Sequence, residues 1–379
     1  MKAKTLAILI TIILCAGCTH AGEIRPGIFI ASDPATLPLP TSGYQLFVVG
    51  ETHGYQETKQ ILFAYLKHLH QSASLRDVIL EESPAYEPEA NAFVQGRTDS
   101  LAKGLCLRTD VLNGIREINA SLPQNEQITV HLVDLDTTIA ATYAHLQKLK
   151  TEIGPAAVTI QIPDYEIFKH QSKSEALDQL NQFTQAAGDD ENIHNGLETV
   201  RSSLLLYFGD SEYANGQGYL GTDKGYIIRE DGIAANASHL LKILNGKTAL
   251  VFFGSAHTVK SQRAIAGEPE GFKPWVLQIM DSGVKVYSLD VEVHSGKWFW
   301  RGQALDVNPG DDKIQFANGT SLASLFDDLN DQNFLYVNLK TGKNAAIHAL
   351  PGLNDIPAGE IYDGLFLIKQ GTPMQDACS

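Results

Sequence analysis

Short apolar runs alternate with helix-period segments along most of this chain, and that rhythm leaves few architectures open. Tyr44 to Val49 reads as a strand, and Tyr55 to His70 as a helix with Ile61, Leu62, Tyr65, Leu66 and Leu69 on one stripe. Asp77 to Leu80 is a second strand and Thr109 to Leu122 a helix; Ile128 to Val133 is a third strand and Thr137 to Thr151 a helix again. Parallel neighbours need a crossover of helical length, so this order builds a largely parallel central sheet flanked by helices. The class is α/β.

The rhythm breaks at Asp164. From there to Phe208 the sequence is polar and helical in period, followed by a Gly-rich loop, so residues 164–222 read as an inserted helical subdomain. Asp223 to Asn245 resumes a helix, and Thr248 to His257 is a buried strand, apolar until Gly254. Val276 to Ile279, Val284 to Val293 and Lys297 to Trp300 read as later strands, the last two joined at His294, Ser295 and Gly296 as a hairpin. Phe334 to Leu339 and Ile361 to Ile368 complete a set of C-terminal antiparallel strands. The expected domain is 43–373, with 374–379 as a tail.

The first residues read as a targeting segment. Lys2 and Lys4 precede an apolar run, Leu6 to Leu14, too short to span a bilayer. "LCAGC", Leu14 to Cys18, resembles the bacterial lipobox, in which the Cys is lipidated and becomes the new N-terminus; plain secretion is the alternative. Residues 1–17 are then a signal peptide, Cys18 the lipidation site, and 18–42, with Pro26, Pro34, Pro38 and Pro40, a tether. Thr19 after Cys18 resembles lipoproteins sorted to the outer membrane, so the expected location is the cell envelope, at that membrane's periplasmic face. With Cys15 removed, Cys106 and Cys378 remain, either as a disulfide or as two separate thiols.

A formal net charge of -15 excludes a surface that binds nucleic acid by neutralising phosphates. "GQGYLG", Gly216 to Gly221, matches a dinucleotide fingerprint by letter, but no strand precedes it, and it reads as a loop. No Gly-x-Ser-x-Gly elbow, His-Glu-x-x-His helix or Walker loop occurs. No protein partner is identifiable. The expected partners are a small-molecule substrate and, through the anchor, a membrane.

In open α/β sheets the ligand lies outside the carboxyl ends of the strands. Those ends carry Glu51 and His53, Glu81 and Glu82, Asp134 and Asp136, and His257. Any one of them alone is equally a cap, a turn or a solvated charge; Asp136 is placed to cap the Thr137 helix and Glu82 to face water. Together, imidazoles beside carboxylates suit the activation of water, because the carboxylate fixes the ring's tautomer and raises its basicity. The same groups also suit a transition metal or a haem.

The runs "VVGETHG", "VILEESPAYEPEANAFVQG", "REDGIAAN", "FFGSAHTVK" and "YDGLFLIKQGTP", in this order, resemble the erythromycin esterase family. Its wider superfamily includes ChaN-type haem-binding lipoproteins and Tiki-type proteases. The resemblance runs from about Tyr44 to Pro373. It implies a site of Glu51, His53, Glu81 and His257, with His53 as the base that activates water for attack on an ester or lactone, Arg229 and His257 as carbonyl-positioning groups, and no cofactor. The ChaN and Tiki branches imply instead a haem carrier or a divalent-metal hydrolase. Three departures stand out: Glu51 and His53 are one residue apart where the esterases have two, Gly254 stands where they carry a second His, and Tyr55 to His70 holds no Arg to match theirs.

Overall fold

The computed structural model describes residues 21–213, 218–262, 271–300, 303–307, 321–326, 332–347 and 356–374. The strands are β1 (Gly22–Arg25), β2 (Ile28–Ala31), β3 (Leu46–Glu51), β4 (Asp77–Leu80), β5 (Thr129–Leu132), β6 (Ala249–Gly254), β7 (Val286–Val293), β8 (Lys297–Trp300), β9 (Gln303–Asp306), β10 (Phe334–Asn338) and β11 (Gly364–Ile368). The helices are α1 (Gln56–Ala73), α2 (Glu87–Val94), α3 (Thr109–Ala120), α4 (Ile139–Ile153), α5 (Tyr165–Phe168), α6 (Lys173–Ala186), α7 (Glu191–Phe208), α8 (Asp223–Leu244), α9 (Trp275–Asp281) and α10 (Ala358–Ile361).

Nine strands form one sheet in the order β1-β2-β10-β11-β7-β3-β6-β4-β5. From β11 to β5 every neighbour is parallel, and β1, β2 and β10 extend the other edge antiparallel. β3 and β6 sit in the middle, buried along their whole length, which is why both read as unbroken apolar runs. One face packs Phe47, Val49, Leu80 and Phe252 against Ile61, Leu62 and Leu66 of α1. The other packs Val48, Val251 and Phe253 against Ile233 and Ala237 of α8 and Trp275 of α9.

Three asparagines, two of them buried, tie helices to the sheet. Asn91 of α2 accepts from the Val130 N–H and donates to the Val130 carbonyl, Asn119 does the same at Ile128, and Asn236 of α8 donates to the Val133 carbonyl. Each side-chain amide thus satisfies backbone groups along or beside the edge strand β5. The expected insertion is helical: α5, α6 and α7 build a separate apolar cluster with α4, centred on Leu146, Phe168, Leu180, Phe183 and Leu204.

Three expectations fail. The segment 18–42 is not a tether throughout, since β1 and β2 join the sheet and Ile28 pairs with Val337 of β10. Ile28 and Ile30 are buried there, which is worth about 1.5–3 kcal/mol each. Val276 to Ile279 is not a strand but the middle of α9; Pro274 precedes its first turn, and Trp275, Val276 and Ile279 line one buried face. A four-residue apolar run carries no period that separates the two states. β7 and β8 are not a hairpin: β7 runs parallel between β3 and β11, and β8 pairs with β9 in a separate two-stranded sheet.

Among the described residues no helix is long and apolar enough to cross a membrane. Residues 1–17 and Cys18 lie outside the described residues, as does Cys378. Cys106 is disulfide-bonded. The "GQGYLG" stretch is described from Gly218, as a turn.

Candidate active site

The sheet order sets adjacent strand ends side by side: β3 delivers Glu51, β6 the turn with His257, β4 Glu81 and Glu82, and β5 Asp134. Glu51 is itself the last residue of β3, so its backbone is held by the ladder rather than by a loop. The five residues expected to form a site, Glu51, His53, Glu81, Arg229 and His257, meet here.

Two imidazole–carboxylate pairs face each other across Glu81. In the first, His53 Nδ1 is 2.9 Å from Glu51 Oε1. In the second, His257 Nδ1 bonds Glu230, whose other oxygen accepts from the Trp275 N–H at 2.7 Å. The carboxylates accept from Nδ1–H, and each ring turns Nε2 toward Glu81. His53 Nε2 lies 3.9 Å from Glu81 Oε2 and His257 Nε2 3.5 Å from Glu81 Oε1. Glu81 is pinned by the Gly254 N–H at 2.7 Å.

Two guanidiniums balance the carboxylates. Arg229 gives Nε and Nη2 to Asp134 at 2.9 and 2.6 Å, Nη2 also to Glu81 at 2.7 Å, and Nη1 approaches His257 Nε2 at 3.3 Å. Arg108, at the end of the 3-10 turn Lys103–Arg108, gives Nη1 to Glu51 at 2.5 Å and Nε to Glu82 at 3.2 Å, with Nη2 3.7 Å from Glu81. Burial alone would raise the Glu51 pKa, but Arg108 and then His53 hold it down at about 2. Glu81 is likewise lowered against its burial, by His257 and the two arginines. Burial would lower His53, but Glu51 and Glu81 raise it; His257 rises in the same way, through Glu230 and Glu81.

Access differs between the two rings. The His53 side chain is 43% exposed, that of His257 only 11%. Gly254 keeps the front of His53 open, since a Cβ there would sit 2.8 Å from Nε2. The other glycines of the motif answer to the protein, not to a ligand. A Cβ on Gly50 would meet Thr258 Oγ1 at 2.5 Å, and one on Gly54, at φ +96°, would run into the Phe299 carbonyl of β8.

Arg108, Glu230 and the role of Glu82 escaped sequence reasoning. Arg108 supplies the guanidinium that α1 lacks, from a stretch without helix or strand pattern. Glu230 follows Arg229 in "RED" and could have been flagged by that adjacency. Glu82 does not simply face water, because it is bound to Arg108. Asp136 does not cap the next helix; Thr138 does, and Asp136 instead accepts from Ser83 and pairs with buried His145 at 3.1 Å.

A cation among these carboxylates would have to take the place of the Arg108 and Arg229 guanidiniums. Among the described residues no group of three or more His, Cys, Asp or Glu side chains is arranged to hold a metal ion. As the side chains stand, these carboxylates are engaged by the two guanidiniums.

Solved structures share this architecture. A Bacillus cereus protein aligns at TM-score 0.63 and 15% identity, over 94% of this chain and 96% of its own. An erythromycin esterase in its open conformation aligns at TM-score 0.60 and 12% identity, over 88% of this chain and 93% of its own. This chain has the erythromycin esterase-like fold. A succinoglycan biosynthesis protein aligns at TM-score 0.60 and 14% identity over 87% of this chain and 88% of its own. A haem-binding ChaN of Campylobacter jejuni reaches TM-score 0.28 at 13% identity, over 65% of this chain and 81% of its own. No family model and no curated protein sequence matches the chain.

Proposed function

We propose that this chain is a hydrolase that opens an ester or lactone of a small molecule, with His53 as general base. The observation that carries the reading is the Glu51–His53 pair, with Nδ1 fixed on a buried carboxylate and Nε2 facing the space kept open by Gly254. A water there loses its proton to Nε2 as its oxygen attacks the carbonyl carbon. The negative charge that develops on the carbonyl oxygen is met by Arg229 Nη1 and by His257, which Glu230 keeps charged to a higher pH than an ordinary imidazole. Arg108 holds Glu51 ionised, so the base keeps its orientation. The erythromycin esterase-like fold supports the reaction class. Lipid attachment through Cys18 on the envelope's periplasmic side is part of the same proposal.

The test is a panel of esters and lactones offered to the purified full-length protein and to His53→Ala. A positioned base contributes about 10²–10⁴-fold, so the variant should lose that much turnover while its urea midpoint stays put. A folded, fully active His53→Ala protein refutes the mechanism. Haemin titration and metal analysis of the same sample separate the other readings. A Soret shift at one equivalent would favour a haem carrier, and chelator-sensitive hydrolysis a metal enzyme.

A further inference from the structure

Ester hydrolysis needs two proton transfers, one from water and one to the departing alkoxide, and His53 accounts only for the first. Five carboxylates, Glu51, Glu81, Glu82, Asp134 and Glu230, surround the site against the two arginines. Four have full sets of partners. Glu51 has Arg108 and His53, Glu81 has Arg229 and the Gly254 N–H, Asp134 has two bonds from Arg229, and Glu230 has His257 and the Trp275 N–H.

Glu82 is the exception. Its one bond is Oε1 to Arg108 Nε at 3.2 Å, on a guanidinium whose Nη1 is already committed to Glu51. Among the described residues Oε2 has no hydrogen-bond partner. The Glu82 side chain is 19% exposed, against 2% for Glu51 and 8% for Glu81, so it is the carboxyl of this set most open to a bound molecule. The groups facing it are Arg108 from the 3-10 turn, Asp134 after β5, Glu81 beside it on the chain and Tyr86 from the turn Pro84–Tyr86. Burial raises its pKa, Arg108 opposes, and Asp134 and Glu81 raise it further, leaving it at about 7.

We propose that Glu82 is the general acid of this site, delivering its carboxyl proton to the leaving alkoxide. The proposal rests on the reading of His53 as base. Acid and base flank one guanidinium: Arg108 Nη1 holds the Glu51 that orients His53, and Arg108 Nε holds Oε1 of Glu82, leaving the protonated Oε2 free to donate. In the first step water's oxygen bonds to the carbonyl carbon, the C=O π pair moves onto oxygen, and Nε2 of His53 takes the water's proton. In the second the C=O re-forms, the bond to the alkoxide oxygen breaks, and that oxygen takes the Glu82 proton and leaves as an alcohol. His53 returns its proton to Glu82 through solvent, so the sum is ester plus water to acid plus alcohol.

The experiment compares wild type, Glu82→Gln and Glu82→Asp on two butyrate esters. 4-Nitrophenolate leaves without a proton; ethoxide does not. Glu82→Gln keeps an oxygen for Arg108 Nε but has no acid proton. It should hydrolyse 4-nitrophenyl butyrate within about threefold of wild type and ethyl butyrate about 10²-fold more slowly, while Glu82→Asp recovers part of the ethyl ester rate. For ethyl butyrate the wild-type alkaline limb, near pH 7, should vanish in Glu82→Gln. Equal slowing on both esters, or none on either, with wild type active on both, overturns the role of Glu82 alone. A wild type inert on both esters overturns the hydrolase reading and this proposal with it.

Discussion

Arg108→Met removes the one cation bound to Glu82 among the described residues and the charge that does most to hold Glu51 ionised. Glu51 is 3% exposed and sits at about 2 instead of its ordinary 4.5. A depression of that size corresponds to about 3 kcal/mol of stability, present above the unfolded pKa and lost as pH falls toward the folded one. Taking away one partner of a buried ion pair costs about 3–5 kcal/mol, because the other charge stays behind. Arg108→Met should therefore lower the unfolding free energy at pH 7 by about that amount, read from urea denaturation followed by circular dichroism. Without Arg108 the burial of Glu51 and Glu82 is less opposed, so both carboxyls titrate higher in the variant. Its deficit against wild type should shrink at pH 5, where they take up protons. The double variant Arg108→Met/Glu51→Gln should recover more than half of the loss, since no ionised carboxylate is stranded at position 51. An Arg108→Met protein within about 1 kcal/mol of wild type, or a double variant no better than the single, would refute the reasoning.

Gly254→Ala places a methyl in front of His53 Nε2 and should cut hydrolysis by at least about tenfold with little change in the urea midpoint, measured on any ester the wild type cleaves. The rate should climb with pH through the His53 pKa, which lies above the ordinary 6.5. Glu51→Gln should move that acid limb of kcat/KM downward, because the Glu51 carboxylate is the main group raising it. His131 of β5 pairs with Asp77 of β4 at 2.9 Å and, burial notwithstanding, is raised to about 9 by Asp77 and Glu87. Its stabilisation, at most about 3 kcal/mol, is complete below the unfolded pKa near 6.5 and is lost as pH rises toward 9. Denaturation at pH 6 and pH 9.5 should show His131→Gln closing on wild type at the higher pH.

Much of the sheet was legible because its signals are local. The apolar runs at Leu46, Asp77, Thr129 and Ala249, each followed by a helix-period stretch or a polar turn, mark parallel strands whatever the rest of the chain does. The strand-end rule then placed Glu51, His53, Glu81 and His257 on one rim, because carboxyl ends of parallel strands share a side. Tertiary structure alone decided the rest. Ile28 and Ile30 lie in a proline-rich segment and become core only because β10, roughly three hundred residues onward, offers an edge. Val276 to Ile279 became helical because Trp275 has to reach Phe253 and close over Glu230. Arg108 meets Glu51 across 57 residues of chain, a contact no spacing encodes. Whether a carboxyl is charged depends on how many cations reach it once it is out of water. Glu81 and Glu82 are neighbours in sequence, yet one shares two arginines and two imidazoles and the other part of one arginine, so their proton affinities separate only after folding.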